Sequence, residues 1–121
     1  MSNIVLIDDD ESIVFMLKEN LLAEGHSVRE GYDGQTAMNL VKDQIPDLLI
    51  MDFNLPGISG KQALELLRAN PVTQNLPVLF LTGEPPEKIL PKGGLLRTRC
   101  LTKPVDLSTL NALVGEMIGR R

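Results

Sequence analysis

Ile4-Val5-Leu6-Ile7-Asp8-Asp9 is a run of four apolar residues that ends on two carboxylates. Its continuity, without polar alternation, marks a strand buried on both faces. The pattern returns along the chain: Leu48-Leu49-Ile50-Met51 ends on Asp52, Val78-Leu79-Phe80-Leu81 ends on Thr82, and Cys100-Leu101-Thr102 ends on Lys103-Pro104. Each run delivers a polar side chain at the same end. Carboxylates aimed off two buried strands call for a cation, so the pattern implies an acidic, metal-dependent site with a hydroxyl and an ammonium beside it.

Between the runs lie helical patterns. Ser12 to Glu24 carries Ile13, Phe15, Met16, Leu17, Leu21 and Leu22 near a 3.6-residue period, and Gly25 supplies a stop. Ser27 to Tyr32 reads as a short second strand around Val28. Asp33 then caps a helix from Gln35 to Gln44, with Ala37, Leu40 and Val41 inward, which Pro46 prevents from continuing. A third strand is expected over Asp47 to Asp52, a third helix over Lys61 to Ala69, a fourth strand over Leu76 to Thr82 and a fifth over about Arg99 to Lys103. Asp106 or Ser108 caps a last helix carrying Leu107, Leu110, Leu113, Val114 and Met117. Strand and helix alternate in five units, which specifies an α/β fold: a doubly wound parallel sheet covered on both faces. Ligands of such sheets sit beyond the carboxyl ends of the strands, where the winding reverses, and the polar strand ends lie on that rim.

The 121 residues fit one domain spanning 1–121, long enough to bury roughly two thirds of the unfolded surface. The net charge of −4 offers no basic stripe for direct nucleic-acid binding, and no apolar run approaches the ~20 residues of a membrane span. Met1-Ser2-Asn3 leads straight into a strand without a cationic leader, and the single cysteine cannot form an internal disulfide, so a cytoplasmic setting is expected. One Tyr, three Phe and no Trp leave few rings to stack on bases or a flavin. Met16, Met38, Met51 and Met117 fall at core spacing as gap fillers, His26 reads as a turn residue without a chemical role, and Asp10 and Glu11 read as a solvated helix cap.

Asp8-Asp9, then Asp52 followed by Leu55-Pro56-Gly57 and Gly60, then Thr82, then Lys103-Pro104 closely resembles the receiver domain of two-component response regulators, over the whole chain. The resemblance implies a flavodoxin-like strand order 2-1-3-4-5 and a phosphorylation-dependent signalling switch rather than an enzyme with an external substrate. It assigns Asp52 as phosphoacceptor and Asp8 and Asp9 as metal-side acids, with the backbone carbonyl of Asn54 as a further ligand beside Asp52. Thr82 would bind a phosphoryl oxygen and Lys103 would pair with the phosphoryl charge. Asn54 and Glu84 occupy the positions that tune hydrolysis of the acyl phosphate in the family. Mg²⁺, or Mn²⁺ in its place, is the expected cofactor. The expected partners are a sensor histidine kinase or phosphotransfer protein and a downstream protein target, with weak pairing of two copies left open.

The chain departs from the family pattern at three places. Cys100 stands where receivers commonly carry a switch Tyr or Phe, and Val105 replaces an aromatic after Pro104. Gly83 to Gly94 holds three prolines and three glycines where receivers keep their fourth helix. Pro91 would clash one turn back and remove a backbone bond, about 3 kcal/mol against a helix, so this helix should be shortened to one turn or absent, leaving a mobile or remodelled output loop. Leu95 and Leu96 are expected to be buried, with an apolar-basic docking patch alongside Arg97 and Arg99 as the alternative. Two other functions compete with the switch: a phosphorylation-independent interaction module on the same fold, and a small phosphatase of the haloacid dehalogenase type, which Asp8-x-Asp10, Thr82 and Lys103 match superficially. Gly119-Arg120-Arg121 reads as an end or the start of a linker.

Overall fold

A computed structural model of the chain describes residues 2–119, so Met1, Arg120 and Arg121 lie outside the described residues. The elements are β1 (Asn3–Ile7), α1 (Glu11–Ala23), β2 (Ser27–Gly31), α2 (Gly34–Asp43), β3 (Leu48–Asp52), α3 (Gly60–Ala69), β4 (Val78–Thr82), a 3₁₀ turn (Pro86–Lys88), β5 (Thr98–Thr102) and α4 (Leu107–Ile118). The strands form one parallel sheet in the order β2-β1-β3-β4-β5, as expected from sequence.

Both faces of the sheet are apolar because alternate residues of each strand feed opposite cores. Ile4, Leu6, Leu48, Ile50, Leu79 and Leu81 meet Val14, Leu17 and Leu21 of α1 and Leu110, Leu113 and Val114 of α4. Val5, Ile7, Leu49, Met51, Val78 and Phe80 meet Ala37 and Val41 of α2 and Ala63 and Leu67 of α3. Every residue of β3 and β4 is buried, so the central strands carry no solvent face.

The helix starts follow local hydrogen-bond chemistry. Asp10 accepts from Ser12 N at 3.0 Å, Asp33 from Thr36 N at 2.7 Å and Asp106 from Thr109 N at 2.9 Å. Ser59 and Gln62 form a reciprocal capping box at α3. Helix α1 ends ahead of Gly25, whose φ of 94° only glycine adopts readily. The carboxylate of Asp10 therefore belongs to the α1 cap, and this cap role is the one the sequence suggested.

Three expectations are corrected. Met16 is 42% exposed and does not fill the core, because the buried stripe of α1 is Val14, Leu17 and Leu21 and Met16 falls outside it. Phe15 and Leu22 are also exposed, so the helical period read from α1 was wider than the face it buries. Leu95 and Leu96 are exposed rather than buried, at 43% and 70%. The chain between β4 and β5 leaves the sheet through the prolines and returns through positive-φ residues Gly93, Gly94 and Arg97, and this path holds both leucines off the core.

The shortened fourth-unit helix is present as expected: the crossover from β4 to β5 contains one 3₁₀ turn with Pro86 at its start. Arg68 of α3 anchors the rest of the segment. Its Nη2 donates to Leu96 O at 3.2 Å, Arg97 O at 3.4 Å and Thr98 Oγ1 at 3.2 Å.

Candidate functional site

The carboxyl ends of β1, β3, β4 and β5 share one rim, and strand order sets who meets whom there. Because β1 pairs with β3, Asp8 and Asp9 project beside Asp52. The three acids can each offer an oxygen such that all three atoms lie within 4.8 Å of one another. Asp8 and Asp52 are buried, at 0% and 7% exposure, whereas Asp9 is open to solvent.

Two backbone amides and one ammonium hold these carboxylates. Asp8 Oδ1 accepts from Asp10 N at 2.9 Å, and Asp52 Oδ1 accepts from Asn54 N at 3.1 Å. Lys103, delivered from the end of β5, reaches across β4 to place Nζ 2.9 Å from Asp8 Oδ2 and 3.3 Å from Asp52 Oδ2. The 2.9 Å contact with Asp8 is one of charge without hydrogen-bond alignment, so the buried Asp8 Oδ2 has no hydrogen-bond partner among the described residues.

The charges are out of balance. Burial raises the Asp8 carboxyl above its ordinary value of 3.8, against the lowering effects of the Asp10 amide and Lys103. Burial also pulls Lys103 down, but its close contact with the charge of Asp8, together with Asp52, outweighs this and leaves the ammonium raised above its ordinary value. Two carboxylates ~4 Å apart repel by about 4 kcal/mol at an effective dielectric near 20, and the one lysine at the cluster of three acids contacts only Asp8 and Asp52. An all-oxygen donor set, with a buried oxygen lacking a hydrogen bond, fits a hard divalent cation of the Mg²⁺ or Mn²⁺ kind.

Not every residue singled out from sequence converges on this cluster. Thr82 is fully buried at the end of β4, and its Oγ1 accepts from Glu84 N at 3.0 Å rather than contacting Asp52. Asn54 is exposed, and its amide donates to Asp52 Oδ1. Asp10, needed for a first-strand Asp-x-Asp pair, has Oδ1 engaged by Ser12 N, Ser12 Oγ and Ile13 N. One neighbour escaped the sequence reading: Phe53, directly after Asp52, packs edge-on against Phe80 with ring centroids 5.1 Å apart. Phe53 directly follows β3 and Phe80 lies on the neighbouring β4, and the scarcity of phenylalanine, three in the chain, was the available signal.

A buried acid pair with an ammonium at the carboxyl edge of a 2-1-3-4-5 sheet defines the receiver class of signalling domain. The family model for the response regulator receiver domain matches residues 4–115, and the chain belongs to that family. It is 37% identical over 99% of its length to the phosphate regulon transcriptional regulatory protein PhoB of Rhizobium meliloti (strain 1021), of which it covers 53%. The chain thus spans about half the length of the curated relatives it matches first. Among solved structures, a putative response regulator from Chloroflexus aurantiacus J-10-fl superposes with a TM-score of 0.87 at 31% identity, covering 98% of each chain. The receiver domain of a sensor histidine kinase from Pseudomonas aeruginosa PAO1, solved with magnesium coordinated in its active site cleft, superposes with a TM-score of 0.86 at 23% identity over 98% of each chain.

Proposed function

We propose that the chain is a phosphorylation-dependent switch that accepts a phosphoryl group on Asp52 from a histidine kinase or phosphotransfer partner. The observation that carries this reading is the meeting of Asp8, Asp9 and Asp52 with Lys103 on one rim. Asp8, Asp9 and Asp52 with the Asn54 carbonyl would hold a divalent cation. When bound, that cation neutralises charge between the acids and an incoming phosphoryl dianion.

This chain's residues carry the remaining roles. An Asp52 carboxylate oxygen forms a bond to phosphorus as the donor's bond to phosphorus breaks, and the donor departs with that electron pair. Lys103, already in reach of Asp52 Oδ2, follows the negative charge onto the phosphoryl oxygens. Thr82 Oγ1 accepts from the Glu84 amide, which leaves its own O–H free to donate to a phosphoryl oxygen. Water attack on the acyl phosphate returns the Asp52 carboxylate and releases inorganic phosphate. Asn54 and Glu84 occupy the positions at which the family tunes the rate of this hydrolysis.

Intact mass after incubation with Mg²⁺ and a small acyl phosphate tests the reading. One phosphoryl group should add to the native chain and none to Asp52→Asn. A native chain that binds Mg²⁺ yet gains no mass would favour the phosphorylation-independent module, which the absence of a switch aromatic at Cys100 also supports. Phosphate-ester turnover abolished by Asp8→Asn but not by Asp52→Asn would favour the phosphatase.

A further inference from the structure

The crossovers leaving β1, β2 and β3 carry helices of 13, 10 and 10 residues, whereas the one leaving β4 carries a 3₁₀ turn of 3 residues. The α2–α3 face of the sheet is therefore covered over β4 and β5 by irregular chain, and between that chain and α3 lies an open cleft of about 680 Å³. Ligand pockets commonly fall at roughly 300–1,000 Å³ with mostly apolar walls and a few polar groups. Here Phe53, Leu64, Phe80, Ile89, Leu90 and Leu96 supply the walls.

The charged residues around the cleft say what sort of occupant fits. Three cations, Lys61, Arg68 and Lys88, face one acid, Glu65, in a chain whose net charge is −4. The guanidinium of Arg68 is engaged by the carbonyls of Thr73, Leu96 and Arg97 and the hydroxyl of Thr98. Lys61 and Lys88 are exposed and form no ion pair among the described residues, Glu65 included. They stand on opposite walls, one in the first turn of α3 and the other in the 3₁₀ turn. The α2–α3 groove, about 440 Å³ and also apolar, has Lys42 as its one charged lining residue.

We propose that the cleft between α3 and the β4–β5 segment is a binding site for a small amphipathic carboxylate, its alkyl tail against Phe53, Phe80 and Leu90 and its head between Lys61 and Lys88. Burial of the tail supplies affinity, and the two ammoniums select the sign of the head. The cleft is separate from the acid cluster, so the site stands whether or not Asp52 accepts phosphate.

Calorimetric titration of the full chain with decanoate, decanol and decyltrimethylammonium, all below micellar concentrations, tests this. Decanoate should bind at one site per chain and about tenfold more tightly than the cationic probe, a difference of roughly 1.4 kcal/mol. Lys61→Glu combined with Lys88→Glu should abolish that preference, Leu96→Asp should weaken decanoate, and Val72→Ser in the α2–α3 groove should change nothing. The ranking of the three probes on the native chain decides the matter independently of any variant. Equal affinity for all three, or decanoate binding insensitive to the lysine pair, would overturn the proposal. Adsorption to phosphatidylglycerol vesicles without one-site decanoate binding would overturn it too, assigning the lysines to a membrane surface.

Discussion

Lys103 Nζ lies 2.9 Å from Oδ2 of Asp8, a carboxylate with no solvent exposure, so the ammonium occupies ground that a divalent cation would need. The two cations are rivals for one acid. Lys103→Met should raise Mg²⁺ affinity by about tenfold, since a unit charge ~4 Å away contributes roughly 1–4 kcal/mol between water-like and partly buried dielectrics. In chelator the same variant should lose stability by about 2 kcal/mol, less than for a fully buried pair because the Lys103 side chain is 24% exposed. Calorimetric Mg²⁺ titration and urea denaturation read the two effects. A variant with weakened Mg²⁺ binding would show that Lys103 supports the metal and does not compete with it.

Asp8 gives a pH signature of defined sign. Burial raises its folded-state pKa above 3.8, so protonation favours the folded form. That contribution is fully present below 3.8 and is lost as pH rises through the elevated value. In metal-free buffer at neutral pH, Asp8→Asn should therefore be more stable than the native chain, on the order of 1 kcal/mol, with the gap closing in acid. The variant should also lose most Mg²⁺ binding. Urea midpoints between pH 3 and 8 check the trend, and a less stable Asp8→Asn at neutral pH would contradict it.

The start of α2 leaves no room for a methyl group. A Cβ at Gly34 would fall 2.3 Å from the Ile58 carbonyl oxygen, a backbone atom that can yield only if the loop after β3 moves. Gly34→Ala should thus cost roughly 1–3 kcal/mol despite the better helix propensity of alanine. Because that loop follows Asp52, its displacement should also shift the Asn54 amide resonance. Thermal unfolding and a heteronuclear correlation spectrum test both parts. An unchanged melting temperature would mean that the loop yields freely.

What the sequence disclosed depended on how local the physics was. Continuous apolar runs identified the sheet, and Asp33 and Asp106 marked helix starts because capping acts within a few residues. The convergence of Asp8, Asp9, Asp52 and Lys103 was legible because each closes a strand and the strand order follows from the family pattern. The exposure of Met16 and Leu96 was not, since an apolar residue in a helix or loop does not announce whether a partner surface faces it. Arg68 and the cleft it borders were also invisible. They arise where α3 meets a segment about 30 residues further on, whose path depends on backbone dihedrals at Gly93, Gly94 and Arg97.

That same segment should exchange amide hydrogens in two classes. The strands on either side are tied into the sheet, β4 through Val78–Thr82 and β5 through Thr98–Thr102. Between them the 3₁₀ turn is held by Lys88 N to Pro85 O at 3.0 Å and Ile89 N to Pro86 O at 3.0 Å, while the path through Pro91, Lys92 and Gly93 is exposed to solvent. Exposed backbone with little buried apolar contact opens at low free energy. The amides of Glu87, Lys92 and Gly93 should therefore exchange orders of magnitude faster than those of Leu79 and Leu81, with Lys88 and Ile89 between. Removing the Arg68 guanidinium with Arg68→Met should extend fast exchange to Thr98, because its contacts with Leu96, Arg97 and Thr98 then disappear. Protection from residue 84 to 98 equal to that of β4 would mean that the irregular crossover is as rigid as the helix it replaces.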